Sequence, residues 1–562
     1  MTIRLSLYTT MVPYTLDTDP IYIANKDLLT ETRNNYQFDL AYLAPIPMLK
    51  GDLPAGESFS IDYLGKVTSA LARLAANTLA VKLKSSWDSL DELQDYEDFF
   101  QVLEKPEVIS TYQTDSSFAE QRLSGANPVV LRSVNNLSDY LQPTEISEII
   151  AAFENSLDLT DNLYVADYTE LPSIASGTFE RGRTYLPRPI ALFCWRSLGF
   201  GDRGQLVPIA IKLDVALKDR TLITAKDDSL DWLYAKTCVQ IADSNYHELM
   251  SHLSRTHFVM EPFAIATGQH LAATHPLGAL LRQHFKFMLA LSSLARKTLI
   301  APNGPIDRLL AGELPCSLDI VKQAFKTWSL DKFAFPNAIA HRGMADEKKL
   351  PHYPYRDDGK LVWQAIHQFV TDYLSLHYQT PDSLSQDRDL QDWTKKLHLV
   401  LSLDGGDGKG MPAQIDTLAQ LIEIVTAIIF TCGPQHAAVN FAQYEYMTFA
   451  PNMPFASYHE FAGSEEFSQT EFMQFLPPSQ QAAAQFSISY LLSSFRYDKL
   501  GYYDRSFFEA FEGDMNEKIH FLVTAFQQQL HLVESEIERR NQNRVVAYNY
   551  LKPSLIPNSI SI

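Results

Sequence analysis

Histidine is the residue type whose spacing in this chain points most directly to chemistry. His247, His252, His257, His275 and His284 fall in one run, and His436 comes much later, with Asn440 four residues beyond it. The sequence closes on PSLIPNSISI, with no charged side chain after Lys552. Imidazole nitrogens, an amide oxygen and a free main-chain carboxylate on Ile562 would together make a nitrogen-and-oxygen site suited to a redox-active transition metal. Neither cluster contains a cysteine, so a structural zinc cage is not expected.

The spacing sets a structural condition on that idea. His252 and His257 are five residues apart, which on a regular α-helix separates them by about 140° around the axis. A wider π-type turn would return them to one face, and such turns occur mostly at functional sites. If both bind one ion, the helix that carries them must be distorted. His436 and Asn440, at i and i+4, share a face without distortion. The run HELMSH has one residue too many for the H-E-x-x-H of zinc proteases. Histidines also serve as ordinary core residues, and spacing alone leaves metal binding and core packing both open.

The elements that must position these residues read as mainly helical. Residues 1–115 carry helical patterning, and Leu64, Val67, Leu71, Leu74 and Leu79 recur near a 3.6-residue period within 61–83. That stripe is expected to pack on the rest of the chain. Residues 189–213, PIALFCWRSLGFGDRGQLVPIAIKL, read as two apolar strands around a Gly-Asp turn. The stretch from Asp228 to Ile300 is helix-rich, and DGGDGKGMP (404–412) is a loop without the Walker spacing. Between Glu423 and Glu445 no side chain is charged, but Gly433, Pro434, Gln435, His436, Asn440 and Gln443 cut the apolar run short of the ~20 residues a span needs. A buried core helix is expected there.

Composition narrows the class. With 46% hydrophobic and 20% charged residues the chain is globular, and its 562 residues exceed the size at which one core usually stops growing. A net charge of −20 argues against binding nucleic acid or anionic lipid through a general electrostatic field, though local basic patches remain open. Cys194, Cys238, Cys316 and Cys432 are scattered, which fits a reducing compartment. The opening MTIRLSLYTTMVPYTLDTD lacks the apolar core of a signal peptide, so a cytoplasmic location is expected.

The pattern from His247 to His284, H-x4-H-x4-H-x17-H-x8-H, matches the signature of the lipoxygenase family. The text around it, DWLYAKTCVQIADSNYHELMSHLSRTHFVMEPFAIAT and HPLGALLRQHFKFMLALSSLARKTLI, resembles that family closely. HAAVNFAQY (436–444) is similar to its second ligand helix, and family members characteristically end in isoleucine. RLSGANPVVLRSV (122–134) and YVADYTEL (164–171) extend the resemblance from roughly residue 117 to the end. The resemblance implies a mainly α fold: a large helical catalytic domain over 116–562 with small β-hairpin elements, and a helical extension over 1–115. That extension stands where eukaryotic members carry a β-sandwich, as expected of a bacterial type.

By the same resemblance His252, His257, His436, the Ile562 carboxylate and, more weakly, the Asn440 amide oxygen would hold one non-haem iron, with manganese as the alternative metal. The carboxylate, with a reference pKa of about 3.3–3.7, would supply the one negative charge. His247 would not be a ligand, and His275 and His284 would lie outside the metal's immediate surroundings. Glu248 and Gln443 would form a hydrogen-bonded link between metal and substrate pocket. Ala295, Leu299, Leu309 and Leu310 would border that pocket, with plain core packing as the alternative for each.

The expected activity is dioxygen insertion into polyunsaturated fatty acids of the linoleate, linolenate and arachidonate class, by hydrogen abstraction from a bisallylic carbon to give hydroperoxides. Alternatives are an iron enzyme that rearranges fatty-acid hydroperoxides and a degenerate lipid-binding relative. Alanine at 295 leans towards S products, with a 9R product from linoleate as the alternative. Peripheral membrane contact, where it occurs, is expected through exposed apolar side chains of the extension.

Overall fold

The computed structural model describes residues 29, 30, 32–84, 89–153, 157, 159, 162–179, 182–199, 204–459 and 467–562. Its centre is a helical run that begins at Ser229, where the Asp228 side chain accepts the Leu230 N–H and caps the first turn. Nearly every residue of Ser229–Tyr246 is buried, as befits a helix enclosed on all sides. The run continues as a π-helix over His247–Phe258 and returns to α-helix over Val259–His270.

A second interrupted run crosses the core beside it. Thr417 caps the helix Leu418–Phe430, which passes through a π-turn at Thr431–Gln435 into the short helix His436–Asn440. By length and composition Leu418–Met447 could cross a membrane (mean hydropathy 1.4), but 67% of that window is buried inside the protein. Here it is a core element. Around these two runs pack Leu314–Thr327 and Met288–Lys297, both against the π-segment, and Pro354–His377, which lies between Leu418–Phe430 and Gly513–Asn541.

The apolar strands expected over 189–213 form as Ile190–Ser197 and Gly204–Leu217, and the tip of the turn between them lies outside the described residues. They belong to an antiparallel five-stranded sheet in chain order with Arg132–Ser133, Leu163–Asp167 and Arg220–Thr224. Side chains alternate between its faces. Tyr164, Ala166, Phe193 and Ile211 join the main core. Val165, Leu192, Cys194 and Ile209 meet Ile149 and Phe153 of the helix Pro143–Phe153 in a smaller one.

The N-terminal segment has one long helix, Ile61–Lys82, capped by Ser60, plus two 3-10 turns at Leu93–Phe99 and Glu107–Ser110. Among the described residues it forms no β-sandwich: Phe38–Asp39 and Met48–Leu49 pair as a two-stranded ribbon. Tyr36, Ile46, Tyr96 and Phe99 share the large core with the central helices. The helix corrects one expectation. Its buried face is Tyr63, Ala70, Leu74, Asn77 and Val81, whereas Leu64, Leu71 and Leu79 are 50%, 49% and 63% exposed. The 3.6-residue count fits two stripes here, and packing selects the one that carries Tyr63, whose ring stacks on Phe59 and meets Phe287 and Phe495 edge-on.

Candidate metal centre

The π-segment places residues five apart on one face, because its hydrogen bonds run from i to i+5. Thr256 shows the repeat: its hydroxyl donates to the carbonyl of Ser251 at 2.8 Å. His252 and His257 are thereby brought ring to ring, with their Nε2 atoms 3.0 Å apart. His436 comes from the second interrupted run, its ring centroid 5.0 Å from that of His257 and 5.8 Å from that of His252. One ligand nitrogen from each of the three lies within 4.8 Å of the others, close to the ~4.2 Å span of two metal–nitrogen bonds of ~2.1 Å.

Hydrogen bonding aims these rings. Glu248 lies 3.2 Å from Nδ1 of His252. Its carboxylate only accepts, so Nδ1 carries the proton and Nε2 presents its lone pair to the centre. Burial opposes ionisation of Glu248, but the adjacent His252 outweighs it and holds the carboxyl below its ordinary range. Burial, followed by the neighbouring imidazoles, keeps His257 and His436 far below the usual histidine range. Both are therefore neutral near pH 7, the form a metal requires. Apart from the Ile562 main chain, neither buried ring nitrogen of His436 meets a hydrogen-bonding partner, and a buried imidazole so poorly satisfied is costly unless something coordinates it. The main chain of Ile562 lies against that ring, and the Ile562 residue is itself buried. These donors fit an ion that accepts nitrogen and oxygen, and buried Cys432, pushed far up by desolvation, stays a thiol.

The remaining sequence candidates fall into place around this core. Asn440 donates Nδ2 to the Leu492 carbonyl at 2.8 Å, while its Oδ1 accepts Gln443 Nε2 at 2.9 Å and keeps a second lone pair. Glu248 and Gln443 each support one member of the group. His247 turns away: its Nε2 donates to the Val439 carbonyl at 2.6 Å, tying the two interrupted runs together. His275 is remote, caps the helix Pro276–His284 and pairs with buried Asp387 at 3.1 Å. His284 holds the Asn558 carbonyl at 2.8 Å. Ala295, in the last turn of the helix Met288–Lys297 that packs on the π-segment, and Leu299, just beyond that helix, are half-buried. Leu309 and Leu310 are buried at the end of Pro305–Leu309, whose Ile306 N–H donates to the Leu299 carbonyl.

Two features escape a reading of spacing. The π-turn at Thr431–Gln435 is signalled only by Gly433-Pro434 inside a helical run. Its purpose is visible in space: Gly433 sits so close to the tail that a Cβ there would come within 2.9 Å of the Pro557 carbonyl. The second feature is the grip on Asn558, which no periodicity reveals.

Comparison with known proteins agrees with this geometry. The profile described as lipoxygenase matches residues 188–557. The linoleate 9/13-lipoxygenase of Pseudomonas aeruginosa is 33% identical over 538 residues, covering 91% of this chain and 77% of that protein. The allene oxide synthase-lipoxygenase protein of Plexaura homomalla is 30% identical over 544 residues, and the match covers 91% of this chain but half of the coral protein's length. A crystal structure of a lipoxygenase in complex with arachidonate superposes with a TM-score of 0.86 at 29% identity, covering 98% of this chain and 83% of that one.

Proposed function

Because this chain belongs to the lipoxygenase family, we propose that it is a non-haem iron dioxygenase forming hydroperoxides from polyunsaturated fatty acids. The observation that carries this is the convergence of His252, His257 and His436 from two π-interrupted helices, with the buried main chain of Ile562 against His436. The proposed ligands are these three imidazoles, the Ile562 carboxylate and, more loosely, Asn440. Iron held by these residues would supply one-electron oxidation of a bisallylic carbon, accepting the electron while a proton acceptor at the metal's open position takes the proton, so that dioxygen could trap the carbon radical.

This chain's residues prepare the site for that step. Glu248 fixes the tautomer of His252, and the π-turn keeps His257 beside it. Gln443 restrains the Asn440 amide, which suits a ligand of variable distance. Leu249, Leu253, Val439 and Ile562, which lie near or among the proposed ligands along the chain, are all buried, which suits a reaction that must keep water from a radical. Ala295, Leu299, Leu309 and Leu310 are proposed to line the substrate's path.

We further propose that the enzyme works in the cytoplasm and touches lipid through the helix Ile61–Lys82. Ile61, Leu64, Leu71, Leu79 and the following Leu83 expose an apolar stripe, and the same helix exposes Lys66, Arg73 and Lys82 against one acid, Asp62, in an otherwise acidic chain. Apolar side chains beside local cations suit a bilayer with anionic headgroups. The deciding experiment for the activity is oxygen uptake on linoleate and arachidonate with chiral chromatography of the products and metal analysis of the same preparation. Stoichiometric oxygen consumption with about one iron per chain is expected. Turnover of added hydroperoxide without oxygen consumption would overturn the dioxygenase reading in favour of a rearranging enzyme.

A further inference from the structure

The tail that ends at Ile562 is anchored by an unusually complete set of polar contacts at a single residue. Asn558 is 1% exposed, and each of its polar groups is used. Its main-chain N–H donates to Asp498 Oδ1 at 2.9 Å, and its side-chain Nδ2 donates to Asp498 Oδ2 at 3.1 Å and to the Tyr502 carbonyl at 3.0 Å. Its Oδ1 accepts the Gly501 N–H at 2.9 Å. Its carbonyl accepts His284 Nδ1 at 2.8 Å. A carbonyl can only accept, so Nδ1 bears the proton, and the other ring nitrogen accepts from the Tyr503 hydroxyl at 3.2 Å.

We infer that Asn558 is a positioning residue: gripped by Asp498 and His284, it sets the register in which the last four residues bring the Ile562 carboxylate to the three imidazoles. The inference rests on the proposed ligand set. On either side of the grip, the Leu500 N–H donates to the Ile556 carbonyl at 2.8 Å, and the Ser559 hydroxyl donates to the Lys286 carbonyl at 2.9 Å. Beyond Ser559 the tail is held by burial of Ile560 and Ile562, and the Ser561 hydroxyl is buried without a partner. Four extended residues reach at most ~14 Å, so a pin at 558 confines the carboxylate closely, and a slip of one residue would carry it away from His436.

The chemistry explains the residue type. Aspartate at 558 would have no side-chain N–H for Asp498 or the Tyr502 carbonyl and would set two carboxylates against each other. A longer glutamine would displace the tail. His284, nine residues beyond His275 with no role among the imidazoles, thereby acquires one through the tail.

The test is a double-mutant cycle on the full chain, reading iron affinity by chelator competition, the electron paramagnetic resonance of the ferric form and the melting temperature of the metal-free protein. Asn558→Ala should weaken iron binding by ~10–100-fold and change the ferric spectrum. Appending one glycine after Ile562 should remove the carboxylate and weaken iron binding as well. In that extended background Asn558→Ala should cost no further affinity, because the carboxylate it positions is already gone. Additive losses, or a fall in melting temperature with unchanged iron affinity, would overturn the positioning role and leave the ligand set standing. Unchanged iron affinity in the extended chain would instead sink the ligand set and the positioning role with it. Should Asn558→Ala fail to fold, His284→Gln, which keeps a donor, should retain iron where His284→Leu loses it. Equal behaviour of those two would also count against the grip.

Discussion

At the scale of single residues, the histidines separate by what their nitrogens face. His252, His257 and His436 present nitrogens to one another, whereas His275 spends both ring nitrogens on Asp387 and on the amides of its own helix. His275→Ala should therefore leave the metal stoichiometry unchanged while lowering stability by ~3 kcal/mol or more, because Asp387 would be left as a buried charge without its partner. Metal analysis alongside urea unfolding checks this, and loss of iron would show that the ligands are wrongly drawn. Ala295 is the residue to vary for product control. Removing its methyl in Ala295→Gly opens space at the end of a helix that packs on the π-segment. One methyl in an apolar pocket discriminates by ~1–3 kcal/mol, so the ratio of regioisomers or enantiomers should shift on a chiral column. An unaltered profile would place Ala295 away from the oxygen path.

At the scale of elements, two helices depend on local departures from ideality. Gly433 allows the tail to pass the turn before His436, since an added Cβ would come within 2.9 Å of the Pro557 carbonyl. Gly433→Ala should push the tail outward, lowering the melting temperature by several degrees, about what ~1–3 kcal/mol of overpacking strain brings, and lowering iron content too. Calorimetry and metal analysis decide it, and wild-type values for both would show that the backbone yields without cost. The helix Ile61–Lys82 poses the opposite problem, an apolar stripe left exposed among the described residues. Leu71→Asp with Leu79→Asp should abolish flotation with vesicles containing anionic phospholipid, yet spare the fold, because both positions are exposed. Flotation that survives both changes would reject this helix as the lipid contact.

At the scale of the whole molecule, buried histidines set the response to acid. Burial lowers His247, His270, His284 and His377 to about 4. Each is neutral when folded and takes up a proton near its ordinary value of ~6.5 when unfolded. Their contribution is complete above the unfolded value and is lost as pH falls towards the folded one, up to ~3 kcal/mol each by pH 4. Burial raises Glu445 to about 7 and Asp389 to about 6, and these two carboxyls gain stability over the same descent. Burial also raises Glu57, Asp243, Asp358 and Asp498. Against them, His257 and His436 add to the loss, as do carboxyls that their partners hold low, Asp227, Asp387 and Asp504 among them, so the metal-free chain should lose stability between pH 6.5 and 4. Urea midpoints measured across that range would contradict this by staying level or rising.

Much of this protein was legible without coordinates. The five-residue spacing of His252 and His257 demanded a widened turn, and the π-helix His247–Phe258 provides it. The apolar run before His436 reads as a core helix, and residues 189–213 read as two apolar strands around a turn, as they fold. Such features are local: each follows from periodicity along a few turns of chain. What spacing left open was decided by contacts between distant segments. Leu64, Leu71 and Leu79 fit a helical stripe as well as Tyr63, Ala70 and Leu74 do, and only the aromatic neighbours Phe59, Phe287 and Phe495 select the second set. His247 and His436 are equivalent as letters, yet one is tied to Val439 and the other faces the main chain of Ile562. The grip of Asp498 and His284 on Asn558 joins three remote stretches, and a one-dimensional pattern holds no record of which of them meet, because that is fixed by how the helices pack.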